Sequence, residues 1–198
     1  MDTSDQPTTR IHGATVLLRA LEREDLPPLR SFVNDPEVMR FSNTFRPISD
    51  EQQEAWWERT SRAADATWFG IEDIRSGRGK LVGTCCLVDV DWVSRVAELR
   101  IRIGAKGAWG HGLGTEACGL LVAFGFEHLN LGRIWLRVFG SNGRAIHLYE
   151  KLGFVTEGTL RRAAFIQGVT EDVVIMGLLR EEWAARNPEA AGRSKARR

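Results

Sequence analysis

The chain has 198 residues, of which 43% are hydrophobic and 27% are charged, a composition typical of one globular domain. Its 27 Lys and Arg residues against 26 Asp and Glu residues give a net charge of +1, which argues against a dedicated nucleic-acid-binding protein. No apolar stretch reaches the length of a membrane span, and the polar first ten residues do not resemble a secretory signal. We therefore expect a soluble, cytoplasmic protein with neither a nucleic-acid nor a membrane partner.

The first part of the chain predicts a mixture of strands and helices. Residues 1–12 are expected to form a flexible leader, and residues 13–183 the folded domain. A capping box of Ser49 with Gln52 marks the start of one helix. The predicted elements are, in order, a strand at 15–19, a helix at 22–33, a helix from 49 to about 64, and strands at 68–74 and 81–90.

The second part begins with a strand of strict alternation. Ala97, Leu99, Ile101 and Ile103 share one face, and the charged residues between them share the other. A helix at 113–124, a strand at 133–139, a helix at 142–152 and strands at 154–166 and 172–179 follow. Residues 184–198 carry five basic side chains and one Glu, and are expected to be a disordered basic tail. This order of elements predicts an α/β domain.

A glycine-rich segment joins the alternating strand to the next helix. Five glycines lie within the eleven residues from Gly104 to Gly114, which lets the backbone approach a ligand closely. The first amides of the following helix have no partner within it, and with the helix dipole they predict a phosphate site. The segment has neither the Gly-Lys-Ser/Thr of nucleoside-triphosphate loops nor the spacing GxGxxG of dinucleotide loops. A nucleotide-binding regulatory module is therefore disfavoured.

The helix predicted at 142–152 carries polar groups on one face. Asn142, Ala145 and Tyr149 are spaced at i, i+3 and i+7, which places them on the same side of the helix. Tyr149 is the only tyrosine of the chain. A lone tyrosine is by default a packing residue whose hydroxyl finds a partner, so this hydroxyl is either structural or reactive.

Together these two motifs resemble those of the GNAT superfamily of acyl-CoA-dependent N-acetyltransferases, over residues 95–183 and more weakly back to Thr15. The glycine-rich segment is similar to the pattern Q/R-x-x-G-x-G/A with Trp109 in the first position, and residues 142–154 match N-x-x-A-x-x-x-Y-x-K-x-G-F. The Trp-Gly-x-Gly form is similar to the branch that acetylates ribosomal-protein N-termini and polyamines. The resemblance implies a single-domain α/β (α+β) fold with a mixed, mostly antiparallel seven-stranded sheet. Helices would cover both faces, and a V-shaped split would separate two central strands.

The resemblance also implies a site. Acetyl-CoA would be the co-substrate, with its pantetheine along the backbone of Ile101 and Ile103 and its pyrophosphate on the loop amides. Tyr149 would protonate the departing thiolate as general acid, and a backbone N–H near Ile103 would polarise the thioester carbonyl. The implied cofactor-binding residues are Ile101, Ile103, Trp109, Gly110, His111, Gly112, Leu113, Gly114, Thr115 and Asn142.

Glu98 is the candidate general base, because related enzymes carry a glutamate at this place in the strand before the loop. At pH 7, deprotonating an amine of pKa about 10.4 costs roughly 4.6 kcal/mol, whereas an α-amine of pKa about 7.7–8 costs about 1 kcal/mol. A base therefore matters most for a high-pKa amine. The alternative is structural, because Arg100 shares the strand face and a Glu–Arg surface pair explains Glu98 equally well. Both interpretations stay open at this point.

The acceptor is the least readable part of the sequence. Residues 34–65 hold seven acids and four arginines, and the difference of −3 favours a cationic acceptor. We expect a polyamine or a protein N-terminal amine. An amino sugar or aminoglycoside, and a non-catalytic acyl-CoA sensor, stay open as alternatives, although a sensor has no need of Tyr149.

The histidines lack metal-ligand spacing, so no metal is expected. The acyl-chain preference and the oligomeric state, a homodimer included, are not readable.

Overall fold

The computed structural model describes residues 10–42 and 46–189. The strands are β1 (Arg10–His12), β2 (Val16–Ala20), β3 (Thr67–Asp73), β4 (Lys80–Asp91), β5 (Val96–Ile103), β6 (Arg133–Phe139), β7 (Val155–Ile166) and β8 (Val169–Leu179). The helices are α1 (Leu26–Val33), α2 (Pro36–Met39), α3 (Asp50–Arg62), α4 (Leu113–Glu127), α5 (Gly143–Leu152) and α6 (Arg180–Arg186). The strands form one sheet in the order β1-β2-β3-β4-β5-β6-β8-β7. Among the described helices, none is both long and apolar enough to cross a membrane.

The mixed, mostly antiparallel sheet of the prediction is confirmed, but it has eight strands in the described residues rather than seven. The additional strand, β1, occupies residues 10–12 of the predicted leader, because these residues pair with β2 in an antiparallel ladder. The predicted tail begins too early for a related reason: α6 includes residues 184–186 and buries Trp183. The remaining parts of the leader and tail, residues 1–9 and 190–198, lie outside the described residues.

The described residues group into two compact units. The first comprises the chain up to Cys86 together with Ile101–Leu120, and the second comprises Leu87–Arg100 together with the chain from Leu121 onward. Each unit therefore contains one part of β4, of β5 and of α4. The predicted cofactor loop falls in the first unit, and the predicted acid and base fall in the second.

In the first unit, one partly buried arginine connects the strands to the first helix. Arg19 of β2 donates from Nη1 to Asp25 Oδ2 at 2.7 Å and from Nε to Glu72 Oε1 at 2.6 Å. Asp25 immediately precedes α1, so these ion pairs fix where that helix begins.

The predicted capping box of α3 is confirmed: Gln52 N–H donates to Ser49 Oγ at 3.2 Å, and Ser49 N–H donates to Gln52 Oε1 at 3.0 Å.

In the second unit, β6 is the central strand. It pairs in parallel with β5 and antiparallel with β8. The parallel pairing sets Val96, Ala97 and Glu98 opposite residues 133–135 and ends there, as the predicted V-shaped split requires. A long hairpin of β7 and β8 follows, and α6 packs Trp183 against Phe126 at 5.4 Å between ring centroids.

Candidate active site

The glycine-rich segment runs from the end of β5 through a short 3-10 helix, Lys106–Ala108, to the start of α4. Gly110 and Gly112 both have φ near +80°, and a Cβ added at either would meet no atom within 4 Å. The hydrogen bond that opens α4 runs from Glu116 N–H to the Gly112 carbonyl at 3.1 Å. The N–H groups of residues 113–115 precede it and point out of the helix end. The turn thus has the open, amide-lined shape expected of an anion site.

Two side chains brace this turn. The indole Nε1–H of Trp109 donates to the Ile103 carbonyl at 2.7 Å. Lys106 Nζ lies 2.9 Å from Asp35 Oδ2 and 3.0 Å from Glu37 Oε1, next to the short helix α2. The hydrogen bonds to these two carboxylates raise the pKa of Lys106 above its ordinary value. The segment is therefore tied both to the strand before it and to the helical region near residue 35.

Glu116, in the first turn of α4, is a residue that the sequence analysis did not single out. Its carboxylate accepts the N–H of Thr15 at 3.1 and 3.2 Å, and also the Ala14 N–H and the Thr15 hydroxyl. Four donor–acceptor contacts thus tie the turn between β1 and β2 to the beginning of α4. A carboxylate in the first turn is also favoured by the helix dipole.

His111 occupies the exposed tip of the glycine-rich turn. It lies near the carboxyl of Asp73 at the end of β3. Hydrogen bonds from Arg75, at 2.9 and 2.7 Å, lower the pKa of Asp73 to about 2, and the charge of His111 adds a smaller contribution in the same direction. The structure therefore gives His111 an acidic neighbour, and its contact with a phosphate stays a prediction.

The second motif specifies the whole of α5, including both ends. Asn142 is the N-cap, and its Oδ1 accepts the Ala145 N–H at 3.2 Å. Gly153 ends the helix with φ = +100°, a left-handed conformation that favours glycine. Between them the Tyr149 side chain is buried, 7% exposed, with its ring 5.9 Å from that of Phe154. The motif therefore holds the tyrosine on a helix with fixed ends.

Glu98 lies in an environment that the strand alternation did not predict. It is only 2% exposed, although it lies on the charged face of β5. Its carboxylate accepts from Arg100 Nη2 at 2.5 Å, and from Arg137 Nε and Nη2 at 3.0 and 3.1 Å. Burial acts to raise the pKa of Glu98, but the hydrogen bonds and charges of the two arginines outweigh burial, and the pKa lies below its ordinary value of 4.5. Arg137 on β6 was not anticipated.

The predicted site residues thus fall into two local groups. Ile101, Ile103 and the loop residues 109–115 lie together in the first unit, and Glu98, Asn142 and Tyr149 lie in the second.

Cys85, Cys86 and Cys118 are fully buried, and burial raises the pKa of Cys85 and of Cys118. Within residues 10–42 and 46–189, no three His, Cys, Asp or Glu side chains are grouped so that they could hold a metal ion.

A family model described as an acetyltransferase (GNAT) domain matches residues 15–155. The chain belongs to the GNAT acetyltransferase family. A spermidine N(1)-acetyltransferase of Escherichia coli (strain K12) is 34% identical to this GNAT chain over 176 residues, which are 86% of this chain and 89% of that protein. The GNAT resemblance predicted from the two motifs, and the mixed α/β fold that it implies, are confirmed.

A solved structure agrees with this assignment. The crystal structure of a spermidine N-acetyltransferase from Vibrio cholerae in complex with CoA and spermine has a TM-score of 0.78 and 30% identity, covering 86% of this chain and 99% of that one. A Bacillus subtilis (strain 168) protein provisionally named a ribosomal N-acetyltransferase is 35% identical over 114 residues, only 58% of this chain. This GNAT chain is an acetyl-CoA-dependent N-acetyltransferase whose acceptor is an amine.

Proposed function

We propose that this enzyme transfers the acetyl group of acetyl-CoA to a primary amine of a polyamine such as spermidine, by direct attack in a ternary complex. The assignment of a polyamine as acceptor rests on one observation: the 34% identity to the spermidine N(1)-acetyltransferase of Escherichia coli extends over 86% of this chain and 89% of that protein. The match to the protein named for ribosomal acetylation extends over 58% of this chain. The polyamine therefore has the broader support.

The geometry of the glycine-rich turn supports the cofactor half of the proposal. The pyrophosphate would lie on the N–H groups of residues 113–115, where the two left-handed glycines leave the backbone uncovered. The pantetheine would follow the backbone of Ile101 and Ile103 at the end of β5. Since Asn142 uses its Oδ1 as the N-cap of α5, its amide N–H groups would serve the cofactor or an ordered water.

Starting from the free amine, the reaction requires two proton movements. The amine nitrogen attacks the thioester carbonyl carbon, the C–S bond breaks, and the thiolate leaves with the electron pair. The thiolate then takes a proton, and the attacking nitrogen loses one. We assign the first proton to the hydroxyl of Tyr149, whose ring α5 holds in a buried position.

The geometry supports the ion-pair interpretation of Glu98. Arg100 and Arg137 together donate three hydrogen bonds to its carboxylate. A carboxylate whose pKa is already lowered is a poor acceptor for the proton of an ammonium group with a pKa of about 10.4. We therefore propose that Glu98 stabilises the protein around β5 and β6, and that the amine loses its proton by a route that does not require this carboxylate.

The acidic surplus of residues 34–65 gives little support to a cationic acceptor. Cationic side chains from outside this segment pair with four of its acids: Lys106 with Asp35 and Glu37, Arg30 with Asp50 at 2.8 Å, and Arg23 with Glu54 at 3.3 Å. These three charges equal the surplus of three in number. The acceptor assignment therefore rests on the relatives and not on this count.

The experiment that tests the proposal is release of free CoA thiol from acetyl-CoA with a panel of amines. Spermidine and spermine are expected to give turnover well above that of a peptide with a free N-terminus and of an aminoglycoside. Turnover with the peptide or the aminoglycoside alone would overturn the polyamine acceptor. Tight CoA binding without turnover on any amine would instead favour the acyl-CoA sensor.

A further inference from the structure

We infer that the side chain of Trp109 is a positioning residue of the acetyl-CoA site: its indole N–H closes the pyrophosphate loop onto the Ile103 carbonyl and holds the loop in its binding shape. The inference rests on the proposed function, because it assumes that acetyl-CoA binds along β5 and the glycine-rich turn. It concerns the side chain of Trp109, whereas the motif alone implies only a backbone contact at this position.

The backbone of β5 shows which edge the indole occupies. The N–H groups of Gly104 and Ala105 both donate to the Val82 carbonyl of β4, at 2.9 and 3.0 Å. A Cβ on Gly83 would press directly on the carbonyl of Arg102. Residues 102 and 104 therefore direct their backbone groups to β4. The Ile103 carbonyl and the Gly104 N–H belong to one trans peptide and point in opposite directions, so this carbonyl faces the other edge. Residue 101 faces the same edge by alternation from Arg102, and the resemblance places the pantetheine there.

The Ile103 carbonyl on that edge is already engaged. Trp109 Nε1 lies 2.7 Å from it, a full-strength hydrogen bond. A pantetheine arm has two amide groups, each of which brings one N–H and one carbonyl. With one lone pair of the Ile103 carbonyl used by the indole, we expect the cofactor to bond this strand through the Ile103 N–H and the Ile101 carbonyl.

The same hydrogen bond makes a closed ring of the residues between β5 and the turn. Inside this ring the Ala108 N–H donates to Ala105 O at 2.9 Å, and the Trp109 N–H donates to Lys106 O at 3.1 Å. Directly beyond it lies Gly110 with φ near +80°. A loop held in its binding shape before the ligand arrives loses less conformational freedom on binding. The indole thus contributes to cofactor affinity without contacting the reacting atoms.

The test compares Trp109→Phe, which keeps an aromatic ring and removes the N–H donor, with the wild type. Because one such hydrogen bond contributes modestly, the Kd for CoA by calorimetry and the KM for acetyl-CoA are expected to rise about three- to tenfold. The kcat at saturating acetyl-CoA and the KM for spermidine are expected to stay within about twofold. Trp92→Phe, in the half-exposed turn after β4, is the matched control and is expected to change none of these values.

A second variant guards against a folding defect. Trp109→Gln supplies an N–H donor where the superfamily pattern has Gln or Arg, and it is expected to bind CoA more tightly than Trp109→Phe. Equal CoA affinity in the wild type and both variants would overturn the inference alone. Tighter binding by Trp109→Phe would also overturn it, since the indole would then compete with the cofactor for Ile103. A wild type that does not bind CoA would overturn the proposed function as well.

Discussion

The helix α5 and the strand residue Glu98 carry the two side chains predicted to move protons, yet their environments arise from the chain in different ways. In α5, the N-cap Asn142, the buried Tyr149 and the terminal Gly153 lie within one short stretch of sequence. Around Glu98, the bidentate partner Arg137 is 39 residues away on another strand. A site built from local signals can be read from sequence, whereas a site built by strand pairing is visible only in the fold.

The largest effect is expected at Tyr149, the buried residue of α5. Tyr149→Phe keeps the ring that packs against Phe154 and removes only the hydroxyl, so folding and CoA affinity are expected to stay the same. If the hydroxyl protonates the thiolate, kcat with spermidine is expected to fall about 10²–10⁴-fold. Steady-state kinetics with a chemical-quench control for the rate-limiting step measures this. A kcat within twofold of wild type would show that α5 only packs this ring.

Glu98→Gln tests the ion pairs that Glu98 forms with Arg100 and Arg137 between β5 and β6. Removing the charge leaves two arginines without their buried partner, and the free energy of unfolding at pH 7 is expected to fall by about 1–3 kcal/mol. Since the folded pKa lies below the ordinary 4.5, this stabilisation is present above that value and is lost as the pH falls through the folded pKa. The difference between variant and wild type in urea titrations should therefore shrink in acid.

The control for this measurement is Glu157→Gln. Glu157 pairs with Arg133 across strands in a more exposed position, and its loss is expected to cost less than about 1 kcal/mol. In kinetics, Glu98→Gln is expected to keep kcat/KM at pH 7 within about threefold. A loss of about 10²-fold that is recovered at high pH would restore Glu98 as the general base.

Gly112→Val tests whether the glycine-rich turn binds the pyrophosphate of CoA. Valine strains the backbone at φ near +80° and places a branched side chain where the pyrophosphate would approach. CoA binding is expected to weaken about tenfold or more, which is about 1.4 kcal/mol. The fold is expected to survive because the added Cβ itself meets no atom within 4 Å. Calorimetry that finds an unchanged Kd for CoA would remove this turn from the site.

The smallest effect is expected at Glu116. Glu116→Gln replaces a charged acceptor of the Ala14 and Thr15 groups by a neutral amide, which loosens the start of α4. The KM for acetyl-CoA is expected to rise about two- to fivefold, with kcat unchanged. Glu127→Gln, at the exposed end of the same helix, should leave both constants unchanged. A fall in kcat alone would show that Glu116 acts on the chemistry rather than on the loop.

These residues also show which structural features could be predicted from the sequence and which could not. The capping box at Ser49 and the whole of α5 are encoded by neighbouring residues, and both were predicted correctly. The contacts of Glu116 with Thr15 span 101 residues, and no spacing rule reveals them. Alternation placed Glu98 on a charged face, but only the pairing of β5 with β6 shows that Arg137 covers it. Strand β1 was missed because its three residues carry no periodic pattern and are ordered by pairing with β2.

The most direct test of the proposed function is product analysis by mass spectrometry after incubation of the enzyme with acetyl-CoA and spermidine. The proposed function predicts one N-acetylated spermidine for each CoA thiol released, and a product yield under identical conditions that collapses for Tyr149→Phe. Thiol release without acetylated polyamine, or an undiminished yield for Tyr149→Phe, would contradict it.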